Sequence, residues 1–386
     1  YEYDKDIPIS ILSNALKIFD NYRINVSFRQ KIKIIQVANL WSKAFSKIDI
    51  KVIYIISILR CAGGPLPFEM KKKLYDLIVK TFTSIELPSN FSKAYSTNSR
   101  DKPFTNKNGQ FIYTCLSLNE SGDTITSLLS DFYYPNLAKI DILSKYNRDI
   151  KFTNSINDLI DIIFSFSIIN YPVILEGPNG CGKSSAFLYV AEYLGVKVIQ
   201  ISLSRSTTVE DLFGRFEPKS DSKDIQFEFK PTAFLNAIDK NRNSGEKYWI
   251  LIEELDLASP SVLDSLEPIF NPQSDHITLP DGSFVQRGNF FVVGLLSKPL
   301  QKQSITNAAL YYKVRNYTKS EFYEICNFIL QTNSLNYSSR DLCPLLAHLY
   351  DISSSSQIKV PVTPREVMKL VKMMKSASTH SNGKRK

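Results

Sequence analysis

Gly177-Pro178-Asn179-Gly180-Cys181-Gly182-Lys183-Ser184-Ser185 fills the pattern G-x-x-x-x-G-K-[ST] at every defined position. A short apolar run, Val173-Ile174-Leu175, leads into it, and a helical pattern from Ala186 to Leu194 leads out. Strand, glycine loop and helix in that order are the setting in which this pattern cradles phosphate. Glycine lets the backbone curl until its N–H groups share one concavity, and the following helix adds its positive end. In such a loop Lys183 reaches the β- and γ-phosphates and the Ser184 hydroxyl holds Mg²⁺. The whole chain has only 14 glycines, so their clustering here is not a matter of composition. The competing reading is a glycine-rich turn that caps an ordinary helix.

Working outward, Val196–Ile201, Tyr248–Ile252 and Phe290–Leu296 read as further buried strands. Helical patterns separate them, over Thr207–Phe213, Pro231–Asp239 and Ser261–Phe270. Apolar strands that alternate with helices imply an α/β fold with a parallel sheet, whose ligands sit at the carboxyl ends of the strands. Glu253-Glu254 ends the third run and so falls beside the phosphate loop. An acidic pair about 70 residues beyond such a loop points to a P-loop NTPase. Pro280-Asp281-Gly282-Ser283 has the turn chemistry of a β-hairpin. Beyond Thr318 three helical stretches form a small separate bundle. His276, His348 and His380 have no convergent partners in the sequence and read as incidental, Asp256 reads as a helix cap and Trp249 as core.

These patterns divide the 386 residues into a mostly helical region at 1–147 with a polar linker at 85–110, an α/β core at 148–318, a helical lid at 319–375, and a basic disordered tail at 376–386. The linker is rich in Ser, Asn, Thr and Lys, and Gly109–Ser117 reads as a lone strand after it. Five scattered cysteines without a C-x-x-C pair argue against zinc and disulfides and for a reducing, intracellular setting. A net charge of +9 favours acidic partners such as ribonucleoprotein, although the basic residues are dispersed. No apolar run is long enough to span a bilayer. The chain begins at Tyr1 without methionine, which suggests a piece of a longer protein.

Several blocks, in order, resemble the dynein-related branch of the AAA+ ATPases, and within it the midasin-type modules. They are Pro172–Gly177 before the loop, Ile201–Ser204 with Asp211–Arg215, Trp249–Ala258, Leu279–Gly282, and Thr363-Pro364-Arg365-Glu366. The likeness runs from about Phe152 to Met374. It implies a ring or pseudo-ring of AAA+ modules that uses ATP and Mg²⁺ to remodel an assembly, with pre-ribosomal particles and a nuclear or nucleolar location suggested by the midasin pattern. It also implies roles. Gly177 to Ser185 would bind the nucleotide. Glu253 would hold the metal with Ser184, where the family has aspartate, and Glu254 would polarise the attacking water. Arg365 would touch the γ-phosphate from the lid. Lys298 falls in the first-sensor slot in place of asparagine, and Lys313 falls where the family has its arginine finger, with Arg315 as an alternative. Lysine keeps the charge but lacks the planar fork. Three functions fit these residues: a motor-type ATPase, a module that holds nucleotide without hydrolysing it, and a nucleic-acid-stimulated NTPase.

Overall fold

A computed structural model describes residues 26–44, 50–67, 70, 73–74, 104–107, 110–113 and 150–383, apart from 219–225, 243–244, 280, 301, 334–335 and 355–361. The expected helical pattern before residue 26, most of Phe68–Phe82, the boundary at Asn147 and the basic Lys384-Arg385-Lys386 lie outside them.

Five strands make one parallel sheet in the order β11 (Leu310–Lys313), β3 (Val173–Glu176), β10 (Phe290–Leu296), β7 (Tyr248–Glu253), β4 (Lys197–Ser202). Alternation decides what each face buries. Trp249, Leu251, Phe291 and Val293 pack on one side, and Ile250, Ile252, Val292 and Leu296 on the other. β10 has neighbours on both edges, and all seven of its residues are buried. Fully burying one such side chain is worth about 1.5–3 kcal/mol, so the central strands anchor the fold.

Helix starts follow local capping chemistry. Thr153 caps α3 (Asn154–Ile168) by accepting the Ile156 amide. The α4 helix (Lys183–Tyr193) begins directly after Gly182 and has no side-chain cap. Thr208 and Asp211 form a capping box on α5 (Val209–Phe213), and Thr232 caps α6 (Ala233–Ile238). Ser259 caps α7 (Pro260–Phe270), with Pro260 in the first turn. After α8 (Gln303–Ala308) and β11, the helices α9 (Lys319–Thr332), α10 (Asn336–Ser354) and α11 (Pro364–Gly383) pack together as the small helical part.

Among the antiparallel pairs outside the main sheet are β5 (Gly214–Pro218) with β6 (Phe227–Pro231), and β8 (His276–Thr278) with β9 (Phe284–Gln286). Gly282 turns the second at φ +81°, as its sequence predicts.

Four expectations change. β11 was not foreseen, and it completes the sheet edge beside β3. The residues after Ser376 read as a disordered tail, yet α11 continues to Gly383. The polar linker carries β1 (Phe104–Lys107), which pairs with β2 (Gln110–Tyr113) in place of one lone strand. Pro231 ends β6, and the helix expected to contain it starts after Thr232.

The N-terminal helices α1 (Phe28–Ala44) and α2 (Ile50–Cys61) share the core of the α/β unit. Trp41 packs at a tilt against Phe166 and donates its indole N–H to the Ser165 carbonyl at 3.1 Å. Lys33 donates to the Ala309 carbonyl at 2.5 Å, Arg60 pairs with Asp161, and the Lys313 amide donates to the Gly64 carbonyl at 2.9 Å. The described part of the N-terminal region therefore covers the β11 edge and the outer face of α3.

Candidate functional site

The loop between β3 and α4 is shaped by two left-handed glycines, Gly180 at φ +81° and Gly182 at φ +89°. Its glycines are also close-packed from outside. A Cβ on Gly177 would meet Val314 at 2.8 Å, one on Gly180 would meet Thr363 at 2.7 Å, and one on Gly182 would meet Ile156 at 2.3 Å and the Tyr317 hydroxyl at 2.6 Å. Three separate elements thus press on the loop: the β11–α9 connector, the start of α11 and the first turn of α3.

Loop, strand ends and helical part together enclose a cavity of about 620 Å³. Lys183, Ser184, Glu253, Glu254, Ser297 and Arg365 are among its polar lining residues, and Ile150, Ile156, Tyr317, Ile329 and Met368 among its apolar ones. Asn179, Gly180, Gly182 and Ser185 border it as well. Gly177, Pro178 and Cys181 shape the loop from behind.

Lys183 is buried and folds back on the loop, donating to the Gly177 carbonyl at 2.6 Å and the Pro178 carbonyl at 2.9 Å. Cys181 is buried with its Sγ 3.7 Å from Lys183 Nζ. Burial pushes the thiol pKa up, against the pull of the neighbouring ammonium. It therefore stays a neutral packing group. The Ser184 hydroxyl donates to Glu253 Oε1. The other oxygen of Glu253 accepts from Gln200 at 2.7 Å and from Ser202 at 3.3 Å. These bonds orient the carboxylate toward the hydroxyl across the β4–β7 register, in which Ser202 stands opposite Glu253. A hydroxyl beside an oriented carboxylate at a helix N-terminus is an oxygen set that suits a hard divalent cation.

Glu254, the next residue, sits in the left-handed region at φ +57° and ψ +37°. That conformation is strained for a side-chain-bearing residue, at about 1–2 kcal/mol. It turns the chain off β7, and the Glu254 carboxylate faces the cavity with no hydrogen-bond partner among the described residues. Arg365 enters from the first turn of α11.

Three readings need geometric comment. Ser297, and not Lys298, lines the cavity at the end of β10. The Ser297 hydroxyl donates to Asn179 Oδ1 at 2.8 Å, while Lys298 is exposed. Asp256, read as a helix cap, accepts the Ser297 amide at 3.1 Å and so ties the acidic segment to the β10 exit. Lys313 ends β11 in register with Glu176 and does not line this cavity. Arg315 forms a two-pronged pair with Glu321 of its own chain, at 2.6 and 2.9 Å.

Residues 172–351 match the AAA domain of the dynein-related subfamily. They form a dynein-related AAA domain. Midasin of Dictyostelium discoideum is 34% identical over 103 residues, which is 27% of this chain and 2% of that protein. Midasin of Giardia intestinalis is 23% identical over 141 residues, 36% of this chain and 3% of that protein. Protein CbbQ of Hydrogenophilus thermoluteolus is 44% identical over 45 residues, 12% of this chain and 17% of its own length. The chain thus spans a small fraction of the midasins it matches. No helix among the described residues is long and apolar enough to cross a membrane.

Proposed function

We propose that this AAA module binds ATP with Mg²⁺ between its α/β core and its helical lid, hydrolyses it, and uses lid movement to remodel a partner assembly. The observation that carries this reading is the convergence of Lys183, the Ser184–Glu253 pair, Glu254 and Arg365 on one cavity. Left-handed backbone at Gly180 and Gly182 curls the loop beside the cavity in the manner of an anion-binding nest, which supports a polyphosphate ligand. Ser184 and Glu253 would hold Mg²⁺, which would supply positive charge against the charge that develops during phosphoryl transfer. Lys183 turns from the loop carbonyls to the phosphates. Glu254 aligns a water for in-line attack, a role for which a carboxylate without other partners is suited. Arg365 adds charge from the lid, and Ser297 places a hydroxyl beside Asn179 on the opposite wall. The apolar lining residues Ile150, Ile156 and Tyr317 suit contact with a nucleobase.

The midasin likeness supports pre-ribosomal particles as the partner, neighbouring AAA+ modules as the ring, and a nuclear or nucleolar location. Phosphate release by the purified protein and by its Glu254→Gln variant tests the enzyme reading. The variant is expected to bind nucleotide and release phosphate at least 100-fold more slowly; equal rates would refute catalysis. A second reading, a module that holds nucleotide without turnover, draws support from Lys313 at the finger position and from the engagement of Arg315 within its own chain.

A further inference from the structure

The segment between β11 and α9 is short, yet it touches the phosphate loop and two helices of the helical part. Val314 lies against Gly177, and its amide donates to the Glu176 carbonyl at 2.7 Å. Tyr317 lies against Gly182, and its carbonyl accepts the Tyr350 hydroxyl at 2.9 Å from the lid. Between them Arg315 reaches Glu321, the third residue of α9.

Glu321 is buried, at 7% exposure, and its carboxylate is crowded with donors. Arg315 supplies two. The Thr318 amide donates at 2.8 Å, and the Ser155 amide and hydroxyl donate at 2.9 and 3.0 Å. Ser155 belongs to the first turn of α3, whose neighbour Ile156 lines the cavity. One carboxylate therefore joins the core, through Ser155, to the connector and to the N-cap of the lid. Burial opposes its charge, but the donors outweigh that and hold its pKa below the usual range. A group this well satisfied has one geometry: removal of the Glu321 charge leaves buried donors poorly paired, and removal of Arg315 leaves a buried carboxylate without its counter-charge.

We propose that Arg315 and Glu321 are positioning residues: a hinge latch that sets the lid against the phosphate loop within one chain, so that Arg315 acts in cis on nucleotide affinity and does not serve as a finger for a neighbouring module. This rests on the nucleotide reading of the cavity. A finger aimed at a neighbour leaves affinity intact and removes turnover, whereas a latch changes affinity and lid position. Lys313, two residues earlier, supplies the contrast.

The test compares Arg315→Ala, Glu321→Gln and Lys313→Ala with the parent. Binding of a slowly hydrolysed ATP analogue with Mg²⁺ is measured by calorimetry. The distance from core to lid is measured without nucleotide, between spin labels at the exposed Asn236 and Gln331. Arg315→Ala and Glu321→Gln are expected to weaken binding at least tenfold and to broaden a narrow distance distribution. Lys313→Ala is expected to stay within twofold on binding and to keep the narrow distribution. Should Arg315→Ala fail to fold, Arg315→Lys, which keeps the charge but loses the fork, takes its place. Unchanged distances and affinities in the Arg315 and Glu321 variants would overturn the latch. If the parent binds no nucleotide, the functional reading fails, and the distance measurement still decides the latch.

Discussion

Gly182→Ala places a side chain where the structure has no room, and Gly245→Ala supplies its control. Both glycines are left-handed, at φ +89° and +84°. A Cβ on Gly182 meets Ile156 Cδ1 at 2.3 Å and the Tyr317 hydroxyl at 2.6 Å, whereas a Cβ on Gly245 meets nothing within 4 Å. The backbone penalty, about 1–2 kcal/mol, is common to both. Ile156 and Tyr317 are 3% and 8% exposed, so neither can swing aside into solvent. Overpacking adds about 1–3 kcal/mol at Gly182 alone. Gly182→Ala should therefore lose about 2–5 kcal/mol, against about 1–2 for the control. At about 2–4 °C per kcal/mol for a domain of this size, the Gly182 variant should melt roughly 4–20 °C below the parent. Differential scanning calorimetry reads the melting, and titration with Mg²⁺ and ATP reads the loop. Only the Gly182 variant should lose affinity. Equal melting losses in both variants, or parental affinity in Gly182→Ala, would refute the account of a loop packed from outside.

Three other outcomes follow from the geometry. Burial lowers the Lys33 pKa to about 8, with Cys61 pulling the other way, while the unfolded chain holds that proton to about 10.5. The penalty is thus full below pH 8 and is relieved as the pH rises toward 10.5, by at most about 3 kcal/mol. Lys33→Met should gain most over the parent near pH 7 and lose that advantage by pH 10 in melting curves; a constant difference would contradict it. Ser297→Ala should slow phosphate release several-fold while Lys298→Ala stays within twofold, because only Ser297 lines the cavity; the reverse order would restore Lys298 to the site. Arg287 sits within 2.8–2.9 Å of the Pro268, Ile269 and Asn271 carbonyls at the end of α7. Arg287→Met should lose about 2–3 kcal/mol, seen as a fall in denaturant midpoint, and an unchanged midpoint would show the contacts to be idle.

Much of the fold and the place of the candidate site were legible because the residues involved carry local signals. The glycine loop, the strand before Glu253-Glu254 and the Asp281-Gly282 turn each announce themselves within a few residues. β11 did not, since Leu-Tyr-Tyr-Lys is four residues long and too short for periodicity to register. The placement of Ser297 against Lys298 was equally silent. All of β10 is buried, so alternation gives no phase at its end, and the Asp256 tether that sets it lies 41 residues away. Glu321 was invisible for the same reason: in sequence it is one of many helix-start glutamates, and only the fold brings Ser155 and Arg315 to it. The union of α1 and α2 with the core rests on contacts such as Lys33 to Ala309, 276 residues apart, which no local pattern encodes.

The central claim is that the loop from Gly177 to Ser185 grips a nucleoside triphosphate through Lys183. Isothermal titration of the protein with Mg²⁺ and ATP tests it most directly, with Lys183→Ala alongside. The account predicts saturable heat at one site in the parent and a loss of affinity of at least about tenfold in the variant, the equivalent of about 1.4 kcal/mol. No heat in the parent, or the same binding curve from Lys183→Ala, would contradict it.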